Sequence, residues 1–354
     1  MYTAGYMVRT GHGAEIYDYG AEKAYQDRLV TRSAVPLPFI RPGYQALLFA
    51  PFSLLPFVPA YGTFLLLNVA ALALFFRLLL PSIEGLTRKN PSLMGALPLY
   101  IPVTVALLQG QDSLWLLVLI AGGLQCLRGE KDFAAGALIA LGLFKLQMIF
   151  PIFALFLFWR RIRFCAGFTC TGVALGAISV WVTGAEASRL YVKEMFGLGS
   201  SLGFASGPRL EINLMANLHG LISVLLQGTL YVLPATIAVS ALLLMLLAIR
   251  RPRREDQLIV AVTCGALVSY YMYVHDMSVL LVPMLVVLQR LLGPDGGRYP
   301  LRGVHLAAIG AMWAMPAFLL IASKWMWLAS VPLLVFCILI VLFPARGRSP
   351  QLAN

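Results

Sequence analysis

The sequence predicts an all-α fold, a polytopic transmembrane helical bundle of about eleven spans, on three observations. Of its 354 residues 60% are hydrophobic and only 12% charged, with a mean hydropathy of +0.83; a soluble globular domain carries about a quarter charged residues. Apolar runs follow one another from about residue 57 to residue 343 with short connectors between them, as a chain must when its backbone is satisfied inside hydrocarbon. The net charge of +12 collects in those connectors, which is the pattern of cytoplasmic loops and not of a nucleic-acid binder.

The spans are read at 57–80, 92–108, 112–128, 133–144, 146–159, 164–183, 229–249, 257–273, 277–292, 303–322 and 326–343. Several fall short of the roughly 20 residues that a bilayer crossing needs. The stretch 133–159 admits two readings. One continuous helix would put RRIR, residues 160–163, opposite the other basic loops. Two short helices broken at Lys145 and loosened at Pro151 return RRIR to the cytoplasmic side, at the cost of under-length or partly re-entrant helices. The broken form is preferred. It assigns 17 of the 27 Lys and Arg residues to cytoplasmic loops and tail, against five on the outer side beyond residue 45 and five in the N-terminal segment.

An odd number of spans and a cytoplasmic tail at 344–354 place residues 1–56 outside as a first extracytoplasmic loop, with an interfacial amphipathic piece at 45–57. No h-region of a cleavable leader is visible and nothing ahead of the segment carries it across, so a first helix upstream of Met1 is expected, the alternative being a short N-terminal tail that is itself translocated. A second large outer loop is expected at 184–228, its glycines and serines implying mobility before ANLHG at 216–220. The five cysteines (Cys126, Cys165, Cys170, Cys264, Cys337) lie in or beside apolar runs without paired spacing and read as small packing residues. Gly167, Gly172 and Gly176 read as a close-packing helix face, and His305 as structural.

Charged groups in or at the edge of spans cost roughly 2.5–3.5 kcal/mol each at mid-membrane, so they point to function by default. Four clusters stand out, all assigned to the outer side. They are GQDS at 110–113 with Gln111 and Asp112, FKLQ at 144–147 with Lys145 and Gln147, NLHG at 217–220 with Asn217 and His219, and YYMYVHDM at 270–277 with His275 and Asp276. Each has a plainer alternative. Asp112 and Ser113 would cap a helix, Lys145 would snorkel, the tyrosines would form an interfacial belt, and His275 and Asp276 would pair with each other. Gathered on one face beside apolar spans, the four suit an anionic headgroup carried on a lipid. No P-loop, dinucleotide fingerprint, HExxH or nucleophile elbow occurs, and no cofactor is expected.

GAEIYDYG, PFIRPGYQALLFAPFSLLP, the block from QGQDSLW to FKLQMIFP, MANLHGLI and YVHDMSVLLVP together resemble the family 87 glycosyltransferases of the GT-C superfamily, the GQDS-to-FKLQ block most specifically. The resemblance implies an inverting transfer of a sugar, mannose first, from a polyprenyl-phosphate donor to a glycan or glycolipid acceptor. The site would be extracytoplasmic in the plasma or inner membrane, with no nucleotide sugar and the metal requirement open. It implies Lys145 and Gln147 at the donor phosphate, His275 oriented by Asp276 beside them, and Gln111, Asp112 and Asn217 at sugar or acceptor hydroxyls, with His219 a further donor- or acceptor-binding candidate. It also implies an aspartate base in the first outer loop, expected a few positions before MYTAGY and therefore upstream of Met1. Within the chain Glu15 and Asp18 are the weaker candidates. Two rival classes remain: a transporter or flippase of lipid-linked sugar, and a catalytically inactive membrane subunit.

Overall fold

The computed structural model describes residues 1–32, 37–89, 95, 99–195, 212–227, 229–293, 296 and 299–343. Every regular element among them is helical. A module of three short helices, α1 (Tyr2–Arg9), α2 (Tyr19–Leu29) and α3 (Gly43–Phe49), caps one end of a bundle. The bundle comprises α4 (Phe57–Lys89), α5 (Ile101–Leu108), α6 (Ser113–Arg128), α7 (Asp132–Leu141), α8 (Leu146–Phe158), α9 (Ile162–Met195), α10 (Leu218–Leu225), α11 (Val232–Ile249), α12 (Gln257–Val268), α13 (Leu281–Leu292), α14 (Arg302–Ile321) and α15 (Ser330–Leu342).

Seven helical runs are long and apolar enough to cross a membrane, and α6 and α12 are shorter apolar helices. This is fewer than the eleven spans expected. The expected span 92–108 is helical over Ile101–Leu108, and most of its first half lies outside the described residues, as does the tail 344–354. The two longest helices carry breaks. α4 bends at Ile83, two residues after Pro81 removes a backbone donor. α9 breaks at Gly184, whose φ of 81° and ψ of 163° belong to a region open essentially to glycine alone.

Length and hydropathy alone would pass Asp132–Phe158 as one 27-residue span, which would run about 40 Å. A contact between its two ends shows that the chain turns back instead: Asp132 at its start lies 3.3 Å from Arg161 just past its end. The reversal is the 3₁₀ stretch Gly142–Lys145. It leaves α7 and α8 antiparallel, with α9 returning alongside α7. α7 and α9 meet backbone to backbone: a Cβ on Gly136 would stand 1.9 Å from the Phe164 carbonyl oxygen, and one on Gly167 2.0 Å from that of Phe133. Only glycine allows such an approach.

The polar groups sort to the two ends of the bundle. At one end Asp132 binds Arg161 and Arg254, Arg254 also reaches Glu130, and Arg290 pairs with Asp256. Between the ends lies a continuous apolar core that includes Phe75, Leu117, Phe156, Ala261 and Phe336. The other end carries the capping module, whose own small core of Ala4, Met7, Ile16, Tyr17, Phe39 and Ala46 includes Ala187 from beyond the α9 break.

Two segments expected as loops are therefore helical. Residues 1–56 hold α1 to α3, because their apolar side chains find a surface in α9 that the segment itself does not advertise. The loop expected at 184–228 continues α9 to Met195 and includes α10, while its glycine-serine stretch, 196–211, lies outside the described residues. The amphipathic piece at 45–57 is the end of α3 and the 3₁₀ turn Pro51–Leu54. Gln45, at its start, points into the protein at 3% exposure.

Candidate active site

Three turns at the capped end bring the charged groups together. Gly110, with φ of 58°, turns the chain between α5 and α6 and sets Asp112 at the α6 N-terminus. The reversal at 142–145 presents Lys145, and the 3₁₀ turn Val274–Leu280 presents His275 and Asp276. Lys145 Nζ lies 2.6 Å from Asp276 Oδ1 and 3.2 Å from Asp112 Oδ1. Ser113 Oγ donates to Asp276 Oδ1 at 3.0 Å, the Tyr273 amide to Oδ2 at 3.3 Å, and His275 Nε2 stands 3.5 Å from Oδ1. From the capping module Arg41 Nη2 reaches Asp112 Oδ1 at 3.4 Å and Gln45 Nε2 donates to Oδ2 at 2.7 Å. Arg41 is itself fixed: its Nη1 donates to the Phe144 carbonyl at 2.7 Å, and its own carbonyl accepts from Tyr17 Oη at 2.8 Å.

Two cations and two carboxylates thus form a sealed, formally neutral cluster. Lys145 and Asp276 are 0% exposed and Asp112 is 3% exposed. Taking such charges out of water is costly and is repaid only when each is paired and hydrogen-bonded, as these are. Asp112 lies between the two cations, 3.4 Å from Arg41 and 3.2 Å from Lys145, and accepts a further hydrogen bond from Gln45. Two of the plainer alternatives do not describe the site. Asp112 occupies the N-cap position without a side-chain cap hydrogen bond, and Lys145 does not snorkel.

Beside the cluster lies a cavity of about 700 Å³ between the capping module, α8 and α9. Near the cluster its wall includes Tyr17, Tyr44, Gln147 and Tyr271, and further along it Phe153 and Phe168. Its flank is open where the bilayer would be, since the lining residues Val173, Phe150 and Val180 are 67, 46 and 45% exposed.

Of the residues singled out from sequence, Asp112, Lys145, His275 and Asp276 converge on the cluster and Gln147 lies on the cavity wall. The amide of Asn217 is engaged elsewhere: Nδ2 donates to the Ser269 carbonyl at 2.6 Å and Oδ1 accepts from the Gly220 amide at 3.1 Å, which ties α10 to the end of α12. His219 lies against Tyr270, ring centroids 5.2 Å apart. Gln111 contributes its carbonyl to Asn68 Nδ2 at 3.3 Å. Glu15 and Asp18 are exposed, and Asp18 caps α2 by accepting from the Gly20 and Ala21 amides; neither lines the cavity. His305 lies far from the cluster, edge-on to Tyr299.

Arg41, Tyr44 and Gln45 are the site residues not singled out. Their signal was present in IRPGYQALLF, where an arginine and a glutamine stand four positions apart in an otherwise apolar run. Glu22 is a fourth. It is 1% exposed and accepts from the Phe39 amide at 2.8 Å. Burial pushes its carboxyl up from 4.5 to about 7. A carboxyl whose proton affinity rises on folding contributes stability that is complete below pH 4.5 and is lost as pH rises through about 7. Glu22→Gln is expected to flatten this dependence by about 1–3 kcal/mol between pH 5 and 8. Denaturant midpoints of both proteins across that range check it, and parallel curves would refute it.

The chain is thus a helical membrane protein with a sealed charge cluster at one end and a laterally open apolar cavity beside it. A family model for glycosyltransferase family 87 matches residues 39–283, well over half of the chain, and takes in every group of the cluster. The chain belongs to glycosyltransferase family 87 and is a membrane glycosyltransferase. Comparison with curated proteins and with solved structures gave no significant match.

Proposed function

We propose that this glycosyltransferase moves a sugar, mannose in the first instance, from a polyprenyl-phosphate donor to a glycan or glycolipid acceptor, with inversion at the anomeric carbon. The observation that carries the reading is the juxtaposition of the cavity, apolar and open sideways, with the cation-bearing cluster at its end. A lipid-linked donor needs both within one binding pose. An outward-facing site is supported by the opposite end, where Arg128, Lys131, Arg160, Arg161, Arg163 and the arginines of 250–254 gather, the charge bias of a cytoplasmic side; the acceptor would then meet the cavity's polar end from outside.

In the transfer the acceptor hydroxyl oxygen bonds to the anomeric carbon from the face opposite the phosphate. Its proton passes to a base, and the bond from the anomeric carbon to the phosphate oxygen breaks with its electrons on the departing polyprenyl phosphate. Among the described residues no carboxylate lines the cavity. The chemistry these residues can supply is therefore donor binding and stabilisation of the leaving phosphate. Gln147 contacts the phosphate directly. Lys145, with Arg41, offsets two carboxylates that would otherwise repel it, and His275 offers a further donor as negative charge grows.

The test is transfer by the full chain in nanodiscs supplied with polyprenyl-phosphate [¹⁴C]mannose and a membrane glycolipid acceptor. Radiolabelled glycolipid of inverted anomeric configuration is expected. A nucleotide sugar serving equally well would reject the lipid donor, and movement of labelled lipid between leaflets without transfer would identify a transporter.

A further inference from the structure

The three α9 glycines of the GxxxxGxxxG series do different things. Gly167 is the close contact to α7 already described. A Cβ on Gly172 would meet only the flexible Leu143 Cδ1, at 3.3 Å, and one on Gly176 would meet nothing within 4 Å. Both line the cavity together with Ser179, so the reading of the 172/176 pair as a helix contact is replaced. From 172 to 179 this face of α9 is a notch about 10 Å long, faced across the slot by Phe150, Pro151 and Phe153 of α8.

A second, independent feature stands at the cluster end of the same slot. Gln147 Nε2 and Tyr44 Oη are both buried and without a hydrogen-bond partner, and both residues line the cavity. Tyr44 is only 5% exposed. An unmade buried hydrogen bond costs about 1–3 kcal/mol. Two such donors on one cavity wall therefore call for a ligand that brings acceptor oxygens. A helix packed into the notch would present apolar side chains and leave both unmet.

We propose that the Gly172–Gly176 notch seats the first segment of the donor's hydrocarbon chain next to the phosphate, with Tyr44 Oη and Gln147 Nε2 hydrogen-bonded to the phosphate oxygens. This rests on the lipid-phosphate reading of the cavity and makes α9 the gauge of chain shape. Glycine leaves room for the methyl branches of an isoprenoid where a larger side chain would fill the slot.

The experiment uses the full chain in nanodiscs and a polyprenyl phosphate, without sugar, that carries a photoreactive diazirine near its phosphate end. Cross-linked peptides are mapped by mass spectrometry. Label is expected within 146–153 and 168–180. Gly176→Leu should reduce it at least tenfold, and Tyr44→Phe and Gln147→Leu several-fold each. Gly310→Leu, the same change at an exposed α14 glycine with nothing within 4 Å, should leave it unchanged. Unaltered melting of Gly176→Leu would show that the loss is local. Equal labelling of Gly176→Leu, label mapping to other helices, or a change in dimer content with labelling intact would overturn the proposal. Labelling at 168–180 without transfer from the sugar-bearing donor would reject the glycosyl-donor reading and keep the lipid seat. Transfer with labelling elsewhere would reject only the seat.

Discussion

Lys145→Met is expected to lower stability by about 3–5 kcal/mol and to reduce sugar transfer at least 100-fold. The methionine fits the space, so packing is not the cause. Removal of the cation leaves Asp276 and Asp112, 0 and 3% exposed, with Arg41 alone to balance two carboxylates, and Arg41 reaches only Asp112. Asp276 would keep Ser113, the Tyr273 amide and His275, which cannot replace a cation at 2.6 Å. Against a total folding stability of about 5–15 kcal/mol, the loss should show as a drop of ten degrees or more in the melting temperature in detergent. Adding Asp276→Asn in the same chain removes one of the two unbalanced charges. It is expected to restore much of the lost stability, because what is costly is a buried charge without its partner. Transfer should return in part in the double variant, since Arg41 then offsets the one carboxylate that remains, Asp112. A single variant that melts with the wild type would mean that the two carboxylates do not share Lys145.

The members of the cluster differed in how legible they were, for a physical reason. Lys145, Asp112 and Asp276 stood out because they interrupt apolar runs, where a charge is expensive and its retention signals a partner. Arg41 also interrupts an apolar run, IRPGYQALLF, but it is one of five cations in the N-terminal segment, and only the fold shows that it turns toward Asp112. α1 and α2 were illegible for a related reason: each is short and carries a glycine among polar residues, and they are held in place because Met7 of α1, with Ile16 and Tyr17 of the connector between them, packs against Ala187 and Tyr191 of α9. The glycine spacing on α9 marked a face free of side chains but not what fills it. At Gly167 the answer is a neighbouring backbone, whereas at Gly176 it is open space. The reversal at 142–145 was legible from charge, because only a doubled-back chain sets RRIR on the same side as the other arginines.

Gly136→Val should abolish monodisperse protein, and even Gly136→Ala should cost more than 4 kcal/mol, beyond the ordinary range for one substitution. The first added carbon would fall 1.9 Å from the Phe164 carbonyl oxygen and 3.0 Å from the Phe168 amide nitrogen. Both are backbone atoms, so no rotamer change relieves the overlap and the two helices must part. They cannot part alone. Phe164 and Phe168 are stacked on Phe156 and Phe153 of α8, and the turn that joins α7 to α8 ends at Lys145. Spreading α7 from α9 therefore pulls on the cation at the far end of the hairpin, and loss of donor binding should accompany loss of stability in whatever fraction folds. Gly310→Ala, where an added carbon meets nothing within 4 Å, supplies the comparison for helix propensity alone. Size-exclusion profiles and melting temperatures of the three variants check the expectation. Were Gly136→Val to elute and melt as the wild type does, α7 and α9 would not be in contact. Asp132 and Arg161 would then be free to lie at opposite ends of one long helix, and neither the reversal nor the placement of Lys145 beside Asp276 would follow.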